Sequence, residues 1–260
     1  MHCETHGKAL GDGADLALVH GWGIDQSAWQ PVASALARTF RVHLVGLPGY
    51  GGAAPAAGGF APTAQRLVAA LPAGVILCAW SLGAMLAQHA ARLAPERVSR
   101  LILVASTPSF TQRADWPHGQ PPALLESFAT AVGLDPDAAR QRFIALLNQG
   151  DGAARRCTRT LARLAVAASA QPDRATLERG LAWLRDIDLR AEAPAIATPT
   201  LLIHGGRDAL IVPAAAQWLA QRLPRGRLEI MAEAAHAPFV SDPAHFVHLI
   251  NDYCHAPAAA

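Results

Sequence analysis

Short uninterrupted apolar runs punctuate the chain, each closed by a glycine-rich or polar loop. They are Leu16-Ala17-Leu18-Val19, Val42-His43-Leu44-Val45, Val75-Ile76-Leu77-Cys78, Leu101-Ile102-Leu103-Val104 and Thr200-Leu201-Leu202-Ile203. Runs without alternation suit strands buried on both faces, as in a parallel sheet covered by helices. Between them, apolar positions recur at helical spacing over 27–38, 63–71, 82–93 and 214–223. A last strand over Leu228-Glu229-Ile230-Met231 precedes a loop and a closing helix from Pro243 to Tyr253. Strands alternating with helices predict an α/β fold with a mostly parallel central sheet flanked by helices.

From Pro108 to Arg190 that rhythm stops. The segments 124–132, 137–147, 153–168 and 174–184 carry helical periodicity, and no strand pattern intervenes. This predicts an all-helical lid over residues 108–190, inserted after the sixth strand region. It would lie above the sheet edge where open α/β folds bind ligands. Residues 1–107 and 191–260 then form the core. One stretch imitates a membrane span, because no charge falls between Leu67 and Ala87. Pro72-Ala73-Gly74 breaks it and Ser81-Leu82-Gly83 turns it, so it reads as helix end, strand, turn and helix.

Composition narrows the function classes. The 260 residues are 52% hydrophobic and 16% charged, which rules out a mainly disordered chain. A formal charge of +2 gives no electrostatic reason to expect nucleic acid or a membrane surface as partner. Cys3, Cys78, Cys157 and Cys254 form no CxxC pair, so neither a disulfide framework nor a zinc site is indicated. Residues 1–7 lack the basic and apolar regions of a secretory signal. The expectation is a cytoplasmic monomer with reduced thiols. No His, Cys or Asp group has metal-ligand spacing such as HExxH, so no metal and no cofactor is expected. The nearest competitor, His2 and His6 with Cys3, sits in a terminus expected to fray.

Candidate chemistry centres on Ala79-Trp80-Ser81-Leu82-Gly83, between a predicted strand and a predicted helix. That is the context of a nucleophile elbow, where small flanking residues permit a sharp turn and the serine hydroxyl is lifted off the sheet. Taken alone, the same motif also fits a plain strand-to-helix turn. A serine nucleophile needs a base, and the base an orienting carboxylate. His236 lies in a small-residue loop after the last strand, and Asp208 follows the strand ending at Ile203. A lone loop histidine or aspartate more often caps or is solvated. Three residues at strand ends in the chain order Ser81, Asp208, His236 reverse those odds. His20-Gly21-Trp22-Gly23, after the first core run, can supply the Trp22 N–H to an oxyanion hole beside the Leu82 N–H.

On these residues the chain resembles the α/β-hydrolase family. Within it, the chain is similar to the carboxylesterases that cleave the methyl ester of pimeloyl-[acyl-carrier protein] in biotin synthesis. Further matching stretches are Pro95-Glu96-Arg97-Val98, Ala232 to Phe239, and, inside the lid, Arg142 to Leu146 with Ala154-Arg155 and Arg159. Departures are Ala79 where the elbow has glycine, and Gly46, before Leu47-Pro48-Gly49-Tyr50-Gly51, where the wider family has aspartate. The resemblance implies an α/β-hydrolase fold and a Ser81–His236–Asp208 triad working through an acyl-enzyme. It further implies substrate contacts at Trp22, Ser81, Leu82, Phe143, Ile144, Ala145, Leu146, Leu147 and His236. For Phe143, Leu146 and Leu147 the competing reading is the lid's own packing.

Between 138 and 163 stand Arg140, Arg142, Arg155, Arg156, Arg159 and Arg163 against the single acid Asp151. Acyl-carrier proteins are acidic, so the resemblance implies docking at Arg142, Arg155 and Arg159; a solvated arginine face is the bland alternative. Other readings remain open. One is a short-chain carboxylesterase or lactonase of the same fold, since one scaffold serves many substrates. Another is a ligand-binding receptor that uses the pocket beneath the lid. A haloalkane dehalogenase is disfavoured, because its nucleophile would be aspartate where Ser81 stands.

Overall fold

The computed structural model of the chain describes residues 1–6, 13–55, 58–168 and 170–256, with the backbone alone at 2–6. The five interior apolar runs become β2 (Asp15–Val19), β3 (Arg41–Gly46), β4 (Val75–Trp80), β5 (Val98–Val104) and β6 (Thr200–Gly205), with β7 (Gly226–Met231) behind them. A further strand, β1 (His2–His6), pairs antiparallel with β3. The order across the sheet is β1-β3-β2-β4-β5-β6-β7, and every pair but the first is parallel. The terminus expected to fray is therefore an edge strand. Its His-Cys-Glu-Thr-His sequence has no apolar run, and main-chain pairing to β3 builds it.

Helices α1 (Gln30–Leu36), α2 (Phe60–Ala69), α3 (Leu82–Leu93), α8 (Pro213–Arg222) and α10 (Pro243–His255) cover the sheet. In α3 every residue from Leu82 to Ala91 is buried, which explains the charge-free stretch without a membrane. Among the described residues no helix is long and apolar enough to cross one. A short helix α9 (Pro238–Ser241) places Phe239 against Trp29 and Trp80, with ring centroids 4.3 and 5.1 Å apart. Side chains of this size each contribute about 1.5–3 kcal/mol on burial, so this cluster anchors the loop before α9.

Four helices separate β5 from β6: α4 (Pro122–Leu134), α5 (Pro136–Leu147), α6 (Ala154–Ala167) and α7 (Arg174–Asp186). Asp135 caps α5 through the Asp137 and Ala138 N–H groups, and Asp173 caps α7 at Thr176. In chain order this insertion leaves the fifth strand, and not a sixth as expected. Only five strands precede it even with β1 counted. Its first stretch, 105–121, is irregular and holds isolated bridges at Ser109–Asp188, Thr111–Gln120 and Arg113–Trp116.

Candidate active site

Ser81 stands at the turn from β4 into α3 with φ 56° and ψ −122°, a left-handed conformation that non-glycine residues rarely adopt. Packing enforces it. A Cβ on Gly83 would overlap the His20 carbonyl, and one on Gly21 would lie 3.0 Å from the Ser81 Cβ. The loop after β2 and the start of α3 therefore close on the serine from two sides. Its Oγ lies 2.9 Å from His236 Nε2, and His236 Nδ1 lies 2.7 Å from Asp208 Oδ2. The other Asp208 oxygen accepts the Leu210 and Ile211 N–H groups at 2.9 Å each. Burial works against charge on Asp208, yet the adjacent His236 and these donors hold its carboxyl below the usual range. It is thus ionised at neutral pH. His204, 3.4 Å from the same carboxylate, is driven toward the neutral form by burial and donates its Nε2–H to the Ile211 carbonyl.

The loop at residues 20–23 is held by its neighbours. His20 Nδ1 donates to the Gly21 carbonyl at 2.8 Å, while its Nε2 accepts the Leu47 N–H at 2.9 Å. Accepting at Nε2 requires neutral imidazole, and burial lowers the His20 pKa to about 4. The Gly21 carbonyl shares a rigid peptide plane with the Trp22 N–H, so fixing one aims the other. The Tyr50 hydroxyl accepts the Gly23 N–H at 3.1 Å, and Arg140 donates to the Gly23 carbonyl at 2.9 Å. Trp22 turns its indole toward α7, where its Nε1–H donates to the Leu177 carbonyl at 2.9 Å. A Cβ on Gly180 would overlap the Trp22 ring and lie 3.4 Å from Leu82 Cδ2, so α7 packs on the side chains of both residues.

The family-model comparison matches the alpha/beta hydrolase family over residues 16–248. The chain belongs to that family. A pimeloyl-[acyl-carrier protein] methyl ester esterase of Nitrosomonas europaea is 39% identical over 248 residues, covering 95% of this chain and 96% of that protein. A protein of the same description from Photobacterium profundum is 38% identical over 244 residues, covering 94% and 95%. Among solved structures, an esterase from Exiguobacterium antarcticum superposes with TM-score 0.86 at 23% identity, covering 98% of this chain and 95% of that one. An enol-lactonase from Burkholderia xenovorans gives 0.84 at 21% identity, covering 98% and 96%. These two share the alpha/beta hydrolase fold with this chain.

Both departures from the family pattern are accommodated. Ala79 is buried on β4 between Val19 and Leu103, and its methyl group packs there. The space beside Gly46 is taken by Gln26, whose Oε1 lies 2.8 Å from where a Cβ would stand.

The insertion meets the site unevenly. Phe143 packs edge-on against Trp22 at 4.7 Å, and the Leu147 carbonyl accepts the His236 N–H at 3.1 Å. Ala145 and Leu146 face away. They line an outer cavity of about 430 Å³ with Leu124, Phe128 and Arg142. Ile144 lines another of about 430 Å³ between α5 and α6. Five consecutive positions of a helix circle its axis, so 143–147 cannot all face one chamber. Ser81 is itself only 6% exposed, and neither cavity is lined by it or by His236.

The arginines also divide. Arg140 is buried and pairs with Asp137 at 3.0 Å, an acid just outside the window that made this segment look so basic. Arg156 donates to the Val240 and Ser241 carbonyls at 3.3 and 2.6 Å. Arg155, Arg159 and Arg163 are exposed on α6, and Arg142 lies over the Phe128 ring at 5.2 Å. The sequence does not reveal the structural roles of His20, Tyr50, Arg140, Asp151 and Gly180, because each has at least one partner distant in the chain: Leu47, Gly23, Gly23, Ala235 and Trp22 respectively. Trp80, buried next to Ser81 in the chain, donates its Nε1–H to the His236 carbonyl at 2.7 Å. Among the described residues no group of three or more His, Cys, Asp or Glu side chains is arranged to hold a metal ion. The His2, Cys3 and His6 side chains lie outside the described residues.

Proposed function

We propose that this chain is a serine carboxylesterase that removes the methyl ester from a pimeloyl chain carried on acyl-carrier protein in biotin synthesis. The observation that carries the chemistry is the hydrogen-bonded series Ser81–His236–Asp208. The substrate is supported by relatives of that description at 38–39% identity over nearly the full chain. Ser81 Oγ attacks the ester carbonyl as His236 Nε2 takes its proton, and Asp208 holds the imidazole in the required tautomer. The tetrahedral oxyanion forms against the Trp22 and Leu82 N–H groups. His236 then protonates the departing methoxide, and water activated by the same nitrogen attacks the Ser81 ester, whose C–Oγ bond breaks to free the pimeloyl carboxyl group as Ser81 recovers its proton from His236.

Residues 108–190 act as the lid. Phe143 and Leu147, on its inner side, line the acyl path with Trp22, while Arg142, Arg155 and Arg159 meet the acidic carrier on its outer side. The enzyme works as a cytoplasmic monomer, in keeping with the free thiols at Cys78, Cys157 and Cys254. Hydrolysis of methyl pimeloyl thioester on acyl-carrier protein, compared with short p-nitrophenyl esters, tests the reading. A kcat/KM about tenfold or more higher on the carrier-bound ester is expected. Equal values would leave a general esterase of the same fold, and no burst from either substrate would leave a binding protein.

A further inference from the structure

The loop that carries His236 is gripped from the insertion on both flanks, and one buried carboxylate does most of the gripping. Asp151, in the turn between α5 and α6, is 7% exposed. Its Oδ2 accepts the Ala235 N–H at 2.8 Å. Its Oδ1 accepts the Ser241 hydroxyl at 2.9 Å and the Ala153 N–H at 2.7 Å, with the Cys157 thiol at 3.8 Å. Among the described residues Asp151 has no ion-pair partner, so hydrogen-bond donors replace its lost water. Ala153 fixes the first turn of α6, whereas Ala235 and Ser241 stand on either side of His236 in the chain. Neighbouring bonds point the same way: the Gly152 N–H donates to the Glu233 carbonyl at 2.9 Å, and the Leu147 carbonyl holds the His236 N–H.

We infer that Asp151 is a positioning residue for the His236 base, through which the α5–α6 turn sets where that imidazole stands. The inference rests on the reading of His236 as the general base. The ring must reach Asp208 at 2.7 Å and Ser81 at 2.9 Å together, so a shift of its main chain lengthens at least one bond. Asp151→Asn keeps the side chain's shape but leaves one acceptor oxygen. Its NH2 then faces either the Ala235 or the Ala153 N–H, donor against donor. One tie is lost whichever way the amide turns.

The test is labelling of Ser81 by an organophosphonate with a p-nitrophenolate leaving group, beside steady-state hydrolysis of p-nitrophenyl butyrate. For Asp151→Asn the labelling rate constant and kcat are each expected to fall about tenfold, with KM within about twofold and the stoichiometry still about one label per chain. A merely structural role would lower the stoichiometry and leave the surviving sites reacting at the original rate; that result overturns the inference. Ser241→Ala removes only one donor and is expected to slow labelling about twofold, and it decides the matter if Asp151→Asn does not fold. Unchanged rate constants in the folded variant also overturn it. His236→Ala is the separate control: persistent labelling there sinks the base assignment itself, whereas its loss beside an unaffected Asp151→Asn sinks this inference alone.

Discussion

Two flanks of the same site are assembled from different materials. On the sheet side, Ser81 directly follows β4, Asp208 lies three residues past the end of β6, and the loop at residues 20–23 follows β2. There the main chain does the placing: tight packing at Gly21 and Gly83, a left-handed serine, and a rigid peptide plane held by His20. On the insertion side no strand end is available. Position comes from long or buried polar side chains that reach main-chain groups: Arg140 to Gly23, Asp151 to Ala235, Arg156 to Val240 and Ser241. A strand end is rigid because the sheet is, whereas a side-chain tether can be cut by one substitution. The difference teaches that Ser81, Asp208 and His236 are carried by the core, while the loop that holds His236 is also tied to the helices above.

The largest break in that comparison is at the serine. Ser81→Ala is expected to lower turnover roughly a thousandfold or more on every ester while the fold persists. His236→Ala should fall by a similar factor, and the double variant should be little worse than either. Retention of a tenth of the activity in Ser81→Ala, or losses that multiply, would show that these residues do not act as one unit.

A smaller effect sharpens the account of the sheet side. His20 titrates near 6.5 when unfolded and at about 4 when buried, so below pH 6.5 the unfolded chain binds a proton that the native chain does not. Stability from this group is full above pH 6.5 and lost as pH falls toward 4, by about 3 kcal/mol. Burial of His204 acts in the same direction. Denaturant unfolding followed from pH 7 to pH 4.5 should give a falling midpoint, and His20→Gln should flatten the slope. An equal slope in that variant would remove His20 from the explanation.

The smallest effect separates the outer face of the insertion from both. Arg155→Glu with Arg159→Glu is expected to raise KM several-fold for a carrier-bound ester, more at low salt, with hydrolysis of a free p-nitrophenyl ester barely changed. Equal losses on the two substrates would mean that α6 itself had been damaged. No loss on either would leave those guanidiniums merely solvated.

Much of this architecture was legible before any coordinates. Leu82 to Leu93 runs as expected, and the four insertion helices lie within a few residues of their patterns, because apolar spacing reports burial. The meeting of Ser81, Asp208 and His236 follows from their places at strand ends. β1 was not legible, since an edge strand needs only main-chain pairing and leaves no hydrophobic signature. The arginine excess was overstated, because Arg140 and Arg156 spend their charge on carbonyls that no spacing rule reveals. In the sequence Asp151 stands as one acid among arginines. Its partners lie 84 and 90 positions away, beyond the reach of any local pattern.

The Trp22 side chain carries a kinetic consequence. Its indole is wedged under α7, hydrogen-bonded to Leu177 and closed over by Gly180, while the neighbouring Gly21 packs on Ser81. Ser81 is only 6% exposed, so under the lid proposed above an ester is admitted when one of these helices lifts, and lifting α7 would pull on the residue proposed as oxyanion donor. On that reading the sealed form is the assembled one, and the form that admits an ester gives up part of that alignment. Capture then proceeds at the open form's intrinsic rate multiplied by the fraction of time spent open. On that reading, strengthening the Trp22–α7 contact should slow capture even where it steadies the chemistry.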